Sequence, residues 1–119
     1  MIEGKIQGGK NTYVGTNLEQ LSVAVNRRSA TGLPFKDGRR VEVFLTILNH
    51  RYQAGLRANL NMRYVWISPN VKDAKKKRTN LATIFDNLGW KKNDDVLLRV
   101  KGIEITLARR QRTDSAAGL

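Results

Sequence analysis

The stretch YQAGLRANLNMRYVWIS at residues 52–68 carries the clearest structural signal in the chain. Two runs rich in strand-favouring residues, Tyr52–Arg57 and Arg63–Ser68, flank a short polar segment at residues 58–62. In the second run aromatic residues alternate with aliphatic ones, so each kind would occupy its own face of a strand. The pattern predicts a β-hairpin with a polar, basic tip.

Further strands are predicted on both sides of this hairpin. Residues Val41–Leu48 are β-branched and largely apolar, as a buried strand requires, and they follow a turn at Pro34–Gly38. Near the end of the chain Val96–Val100 and Ile103–Leu107 have the same character. The sequence therefore favours a mainly β protein.

Two short helices are predicted between the strands. The first begins at Thr16 or Asn17 and ends before Gly32, because apolar residues recur there at spacings of three and four. Valines in its second half leave a strand open as an alternative. The second helix covers Leu81–Asn87, between a capping residue at position 79 or 80 and Gly89.

Two other features concern the layout of the chain. Gly8–Asn11 is interpreted as a turn between the short extended pieces Gly4–Gln7 and Thr12–Gly15. Gly32–Val43 and Leu88–Val100 each follow a predicted helix and share a glycine, an aromatic residue, a lysine, a polar turn and a valine-rich strand. This repeat suggests a pseudo-symmetric barrel.

The charge of the chain points to a polyanionic partner. Lys and Arg number 22 against 10 acidic residues, a net charge of +12, and no acid occurs from Val43 to Lys72. A field of this size attracts polyanions, of which nucleic acid is the commonest. No apolar run is long enough to span a membrane, and no long basic amphipathic helix would lie on one. With no cysteine present, a cytoplasmic location is the simplest expectation.

The hairpin tip holds the best candidates for reading bases. Arginine donates two hydrogen bonds to guanine, and asparagine pairs bidentately with adenine. In an extended segment, alternate residues project from one face and could enter a groove together. The residues with this alternation are Arg57, Asn59, Asn61 and Arg63.

Other basic residues suit the phosphate backbone better. Lysine behaves as a mobile point charge, and the run at positions 75–78 lacks the spacing for one common face. The predicted phosphate contacts are Arg27, Arg28, Lys72, Lys75, Lys76, Lys77 and Arg78. For Arg27 and Arg28 a structural role at a helix end is the alternative.

Three segments resemble a known family of DNA-binding domains. They are Tyr52–Arg57, Tyr64–Pro69 and the region from Leu81–Ile84 through Lys92–Val96. With the order of the predicted elements, they are similar to the plant B3-like pseudobarrel of auxin-response-type factors. They look even more like the effector domains of EcoRII-like and BfiI-like restriction endonucleases. The resemblance covers roughly residues 10–107.

The resemblance implies an α+β, mainly β fold, a seven-stranded open pseudobarrel with two short helices. It implies sequence-specific reading of the major groove of duplex DNA by two loops. By position these are Gly8–Thr12, with Lys10 and Asn11, and Arg57–Arg63. The domain would cover residues 1–108, followed by a basic, flexible tail at residues 109–119. Members of the family usually accompany a separate nuclease domain, and we expect a bacterial, DNA-associated monomer.

No catalytic constellation is recognised, so the chain is not expected to be an enzyme. His50 is the single histidine, and the carboxylates do not cluster, so neither a metal site nor a cofactor is expected. Three alternatives remain open: an RNA-binding module, a nuclease, and a dimeric repressor of the swapped-hairpin type. Trp66 and Trp90 are expected in the core rather than as stacking platforms.

Overall fold

The computed structural model describes residues 1–110, which form nine strands, one α-helix and one short 3₁₀ turn. The helix α1 covers Leu81–Leu88, and the 3₁₀ turn covers Arg27–Ser29. The strands are β1 (Ile2–Thr12), β2 (Glu19–Asn26), β3 (Val41–Ile47), β4 (His50–Ala58), β5 (Tyr64–Ile67), β6 (Asn70–Lys72), β7 (Arg78–Asn80), β8 (Asp95–Lys101) and β9 (Glu104–Arg109). Within these residues no helix has the length and apolar character needed to cross a bilayer.

Seven of the strands form a closed barrel. They are hydrogen-bonded in the order β3-β9-β8-β1-β2-β5-β4, and β4 pairs with β3 to complete the ring. β3 runs parallel to β9 and antiparallel to β4, so both of its edges are used. The mainly β fold is as predicted, but the barrel is closed where an open one was expected. The β6–β7 hairpin is attached to β4 outside the ring.

Alternation along the strands fills the barrel interior. Val43, Leu45 and Ile47 on β3 are at most 1% exposed, and Ile105 and Leu107 on β9 match them. Burying a side chain of this size contributes about 1.5–3 kcal/mol, so these few positions dominate the stability of the fold. The resulting core is continuous from one end of the barrel to the other.

The first predicted helix is wrong, because its residues form strand β2. Leu21, Val23 and Val25 alternate with more polar neighbours, and Val23 and Val25 point into the barrel with at most 1% exposure. The period of two therefore outweighs the helical spacing, as the valines already allowed. Among residues 1–110 only one α-helix remains, and the proposed helix-turn-strand repeat loses its first copy.

The predicted turn at Gly8–Asn11 is also wrong, since β1 continues to Thr12 with an irregular register after Gly8. The Glu19–Lys92 ion pair, 3.1 Å between Oε2 and Nζ, lies directly over Gly8, so a Cβ there would displace the ends of these two side chains. The glycine accommodates this close approach within a strand rather than a turn. The chain reverses instead at residues 13–18, where Gly15 has a φ of 76°.

The helix α1 closes one end of the core. Phe85 is fully buried and stacks on Trp90 with 5.6 Å between ring centroids, so the core position predicted for Trp90 is confirmed. The side chain of Asn80 accepts a hydrogen bond from the backbone N–H of Thr83 at 2.8 Å, and Gly89 ends the helix with a φ of 74°. Both caps match those expected from the sequence.

Replacing Asn80 with alanine should lower the free energy of unfolding by about 1 kcal/mol, because the first turn of α1 loses its cap. Asn80→Asp should retain most of the stability. Asn87→Ala, the same change at an exposed position of the helix, serves as the matched control and should be neutral or slightly stabilising. Urea denaturation measures all three, and equal loss in the two alanine variants would contradict the capping role.

Candidate nucleic-acid interface

Two loops lie at opposite ends of the β2–β5 strand pair. Asn26, at the end of β2, pairs with Tyr64, at the start of β5, so the β4–β5 loop at residues 59–63 lies at that end. The β1–β2 loop at residues 13–18 precedes β2 and lies at the other end. The outer side of the barrel between the two loops is therefore one continuous strand surface.

This surface, here called the recognition face, presents polar and aromatic side chains from four strands. Val65 and Ile67 point inward, so Tyr64 and Trp66 point outward and are half-buried, as the alternation predicted. The indole N–H of Trp66 donates to Oε1 of Gln7 on β1 at 3.1 Å. The core position expected for Trp66 is therefore wrong. The outward residues of the recognition face include Gln7, Ser22, Arg57, Tyr64 and Trp66.

Arg57 is the cation of the recognition face that has no ion-pair partner among residues 1–110, whereas Lys5, in the same cross-strand row, pairs with Asp95 at 3.9 Å. Arg57 lies on β4 directly opposite Trp66 on β5 and is exposed. Within residues 1–110 it makes no ion pair and no side-chain hydrogen bond. Its guanidinium donors are therefore available to a ligand lying against the strands.

The β4–β5 loop is a tight turn rather than an extended segment. The N–H of Met62 donates to the carbonyl of Asn59 at 2.9 Å, and residues 59–63 are all exposed. The four predicted base-reading side chains therefore do not alternate along one strand, because only Arg57 lies in a strand. Asn59, Asn61 and Arg63 nevertheless remain accessible at one end of the recognition face.

Arg27 holds this loop in place. Its Nε donates to the carbonyl of Met62 at 3.1 Å, and Nη2 donates to the carbonyl of Asn59. Nη1 and Nη2 also pair with the two carboxylate oxygens of Asp37, the latter at 2.7 Å. One guanidinium therefore links the end of β2, the residue 37 turn and the loop. We call this set of contacts the Arg27 clamp.

The electrostatics of the Arg27 clamp suit a fixed structural charge. The hydrogen bonds with Asp37 raise the pKa of Arg27 above its ordinary value, against the opposing effect of desolvation. The guanidinium also lies 5.4 Å from the centroid of the Phe35 ring. With its donors engaged by the protein, Arg27 has little left for the phosphate contact predicted from the sequence.

The acidic residues are nearly all occupied by ion pairs. Residues 1–110 contain nine carboxylates, of which seven pair with a Lys or Arg. The Asp73 carboxylate instead accepts the backbone N–H groups of Lys75 and Lys77. Many cations are consequently left without an anionic partner among the described residues. Those at predicted sites are Arg28, Arg57, Arg63, Lys72, Lys75, Lys76, Lys77 and Arg78.

Two of these cations share a small cleft beside the β4–β5 loop. Arg28 and Arg63 line it together with Asn26 and Arg27. Arg28 is the middle residue of the 3₁₀ turn Arg27–Ser29, and its backbone N–H donates to Oδ1 of Asn26 at 3.0 Å. The cleft is a basic concavity next to the recognition face, as a phosphate contact requires.

The lysine run lies on the β6–β7 hairpin, whose tip is a tight turn. The N–H of Lys76 donates to the carbonyl of Asp73 at 2.9 Å, and Lys76 has a φ of 63°. The Asp73 carboxylate therefore accepts hydrogen bonds from the backbone of the turn, and the lysines project from a hydrogen-bonded turn. The hairpin is a second basic element beside β4.

The first of the two DNA-contacting loops predicted from the sequence, Gly8–Thr12, lies in strand β1. Lys10 and Asn11 belong to β1 and not to a loop, and Asn11 is exposed. The turn itself is braced by Tyr13, whose buried hydroxyl donates to the carbonyl of Pro69 at 3.1 Å. Desolvation raises the pKa of Tyr13 above its ordinary value. Lys10 and Asn11 therefore lie at the base of the β1–β2 loop.

The tail expected at residues 109–119 begins inside the fold. Arg109 belongs to β9 and pairs with Asp94, and Arg110 pairs with Glu3. Residues 111–119 lie outside the described part of the chain. His50 is exposed at the start of β4, and residues 1–110 hold no group of three or more His, Asp or Glu side chains placed to bind a metal.

No family model, no curated protein and no solved structure matches the chain. The geometry of residues 1–110 defines a β-barrel with one basic, partly aromatic face between two end loops.

Loss of the Arg27 clamp should loosen the β4–β5 loop without unfolding the barrel. Arg27→Lys keeps the charge but cannot reach Asp37 and two carbonyls at once, so the amide proton of Met62 should exchange several-fold faster. Hydrogen exchange followed by NMR measures this, with the β3–β4 amides as the internal reference. Arg28→Lys is the matched control and should leave Met62 unchanged; equal effects would contradict the clamp.

Proposed function

We propose that the protein binds duplex DNA sequence-specifically, with its recognition face against the major groove. The observation that carries the proposal is the division of charge. Seven of the nine carboxylates in residues 1–110 are in ion pairs, whereas Arg28, Arg57, Arg63 and the β6–β7 hairpin carry cations with no anionic partner among these residues. This distribution favours a ligand with regularly spaced negative charge.

The dimensions of the face fit a groove. β2 has eight residues, so the two end loops are separated by about 25 Å at ~3.3 Å per residue. A major groove is about 12 Å wide and admits a two-stranded β-ribbon, so the end loops rather than the whole four-strand face would enter it. A face of this length would span the groove and bring one end loop to the base edges from each side.

The side chains divide into two roles under this proposal. Arg57, Asn59, Asn61 and Arg63 would contact base edges from one end, with Lys10 and Asn11 at the other end. Arg28, Lys72 and the Lys75–Arg78 segment would contact phosphates, since they surround the face rather than occupy it. Arg27 would act on the complex by holding the β4–β5 loop in a fixed shape, which lowers the ordering cost on binding.

The proposal includes membership of the B3-like pseudobarrel class, as an effector domain of the restriction-endonuclease type. The positions of two loops support this membership. The β1–β2 loop and the β4–β5 loop flank one face of the barrel, and the resemblance implies that two such loops contact the DNA. A separate nuclease domain would then supply cleavage in the parent protein.

Selection of bound duplexes from a random pool, at two salt concentrations, tests the proposal. A sequence preference that persists while affinity falls with salt is expected, because base contacts persist while phosphate contacts weaken. Duplex RNA should compete poorly, since its deep, narrow major groove excludes side chains. Equal binding of RNA, or recovery of no consensus, would overturn the proposal, and cleavage of plasmid with Mg²⁺ would identify a nuclease instead.

Arg57→Ala should cost about 1–3 kcal/mol of binding free energy to the selected duplex and relax the preference at one base pair. Fluorescence anisotropy with the consensus and single-base variants measures both effects. Arg99→Ala, at an exposed cation on β8, is the matched control and should change neither. Retention of the full sequence preference by Arg57→Ala would count against its role.

Lys76→Gln should behave differently from Arg57→Ala. A lost phosphate contact weakens binding to all sequences alike and reduces the slope of log K against log salt by about one unit. The same anisotropy series at several salt concentrations gives the slope. A change in base preference, with an unchanged slope, would show that Lys76 reads bases instead.

A further inference from the structure

A cleft of about 600 Å³ lies on the outer side of the barrel, between strands β3 and β4 and the β6–β7 hairpin. It adjoins the recognition face but is not part of it, since neither Arg57 nor the β4–β5 loop lines it. Its volume falls in the range of small-molecule sites, ~300–1,000 Å³. The cleft is therefore large enough for a ligand of its own.

Two cations face each other across the β6–β7 hairpin in this cleft. Lys72 on β6 pairs directly with Arg78 on β7, and neither has an anionic partner among residues 1–110. Like charges directly opposite on adjacent strands destabilise the pairing. An anion between them would remove this repulsion.

A third cation is held over the floor of the cleft. Arg40 lies across Gly55 so closely that a Cβ at that position would be 2.9 Å from Nη1 and nearer still to Cζ. Its Nε pairs with Oε1 of Glu42 at 3.0 Å. Glycine at position 55 thus leaves space for the guanidinium close to the strand, and Glu42 is its ion-pair partner.

The rest of the lining is apolar and amide-bearing. Phe44 forms part of the wall, and Arg51 fixes its ring by stacking 3.8 Å from the centroid. Ile103, which is 47% exposed, adds apolar surface. Gln53 and Asn70 contribute amide groups that can both donate and accept hydrogen bonds.

The charge of the lining selects the kind of anion. Three cations and one carboxylate give a net charge of +2. A phosphomonoester carries about −1.5 to −2 at pH 7, whereas a phosphodiester carries only about −1. Together with the aromatic wall and the amides, this charge suits a phosphomonoester joined to a flat, hydrogen-bonding ring.

We infer that the cleft binds a nucleoside 5′-monophosphate, with the phosphate between Lys72, Arg78 and Arg40 and the base against Phe44 and Ile103. The same chemistry has two sources, a free nucleotide or the 5′-phosphorylated end of a DNA strand. The cleft shares Lys72 and Arg78 with the phosphate contacts proposed for the duplex, but it contains no residue of the recognition face, so base reading does not depend on it.

Titration of the ¹⁵N-labelled protein with thymidine 5′-monophosphate tests the inference, with inorganic phosphate and thymidine as parallel probes. The nucleotide should shift the amides of Gln53 and Thr79 and bind about tenfold more tightly than phosphate, because only it also reaches the apolar wall. Thymidine should bind weakest. Shifts at other sites, or equal affinity for nucleotide and phosphate, would overturn the assignment.

Two variants distinguish specific nucleotide binding in the cleft from attraction by the overall positive charge of the protein. Arg78→Gln should weaken nucleotide binding about tenfold through loss of a charge-assisted hydrogen bond, whereas Lys75→Gln, the same charge change outside the lining, should have little effect. Gly55→Ala displaces the Arg40 guanidinium without changing any charge and should also weaken binding. Equal effects of Arg78→Gln and Lys75→Gln would show that only the overall field attracts the nucleotide.

A duplex experiment distinguishes the two sources and keeps this inference apart from the proposed function. If strand ends occupy the cleft, a 5′-phosphorylated duplex should bind more tightly than its unphosphorylated form, and Gly55→Ala should abolish the difference. If free nucleotide is the ligand, both duplexes should bind alike while the nucleotide still shifts Gln53. If the protein recognises the duplex but does not bind the nucleotide, this inference is overturned and the proposed function is not.

Discussion

The structure depends on the use of both edges of strand β3. Its pairing with β4 on one side and with β9 on the other turns a row of strands into a closed ring. Closure removes the edge strands that would otherwise invite pairing with another chain. It also fixes which side chains point inward, so that only the outer surface and the loops at the two ends can carry function. The recognition face is the part of that surface bounded by a loop at each end.

Charge, rather than fold, gives this surface its proposed role. Exposed ion pairs contribute little stability, so the seven pairs among residues 1–110 matter mainly for the field that they leave behind. Each pair cancels a carboxylate near the barrel surface. The cations that remain include those beside the β4–β5 loop and on the β6–β7 hairpin. Arg27 is the exception, because its guanidinium is hydrogen-bonded to Asp37 and to two loop carbonyls. It holds the β4–β5 loop in shape and is not available to attract DNA.

Local sequence patterns predicted most strands, the helix α1 and both of its caps. They failed where two periods coincided, as in β2, where apolar residues fit helical spacing but Val23 and Val25 enter the barrel as strand residues. They also failed at Gly8, where the strand continues beneath an ion pair that forms only in the fold. Arg27 and Asp37 are 10 positions apart, and Trp66 and its partner Gln7 are 59 apart. Contacts between residues so far apart in the chain leave no local sequence pattern that predicts them. Asp37 beside a turn was the one weak signal for the clamp.

The central claim is that one face of a rigid barrel, between its two end loops, meets the DNA. An NMR titration of the ¹⁵N-labelled protein with a selected duplex tests it most directly. The account predicts that the indole N–H of Trp66 and the amides of Ser22 and Arg57 shift most, together with both end loops. Shifts concentrated instead on β8 and β9, around Arg99 and Lys101, would contradict it.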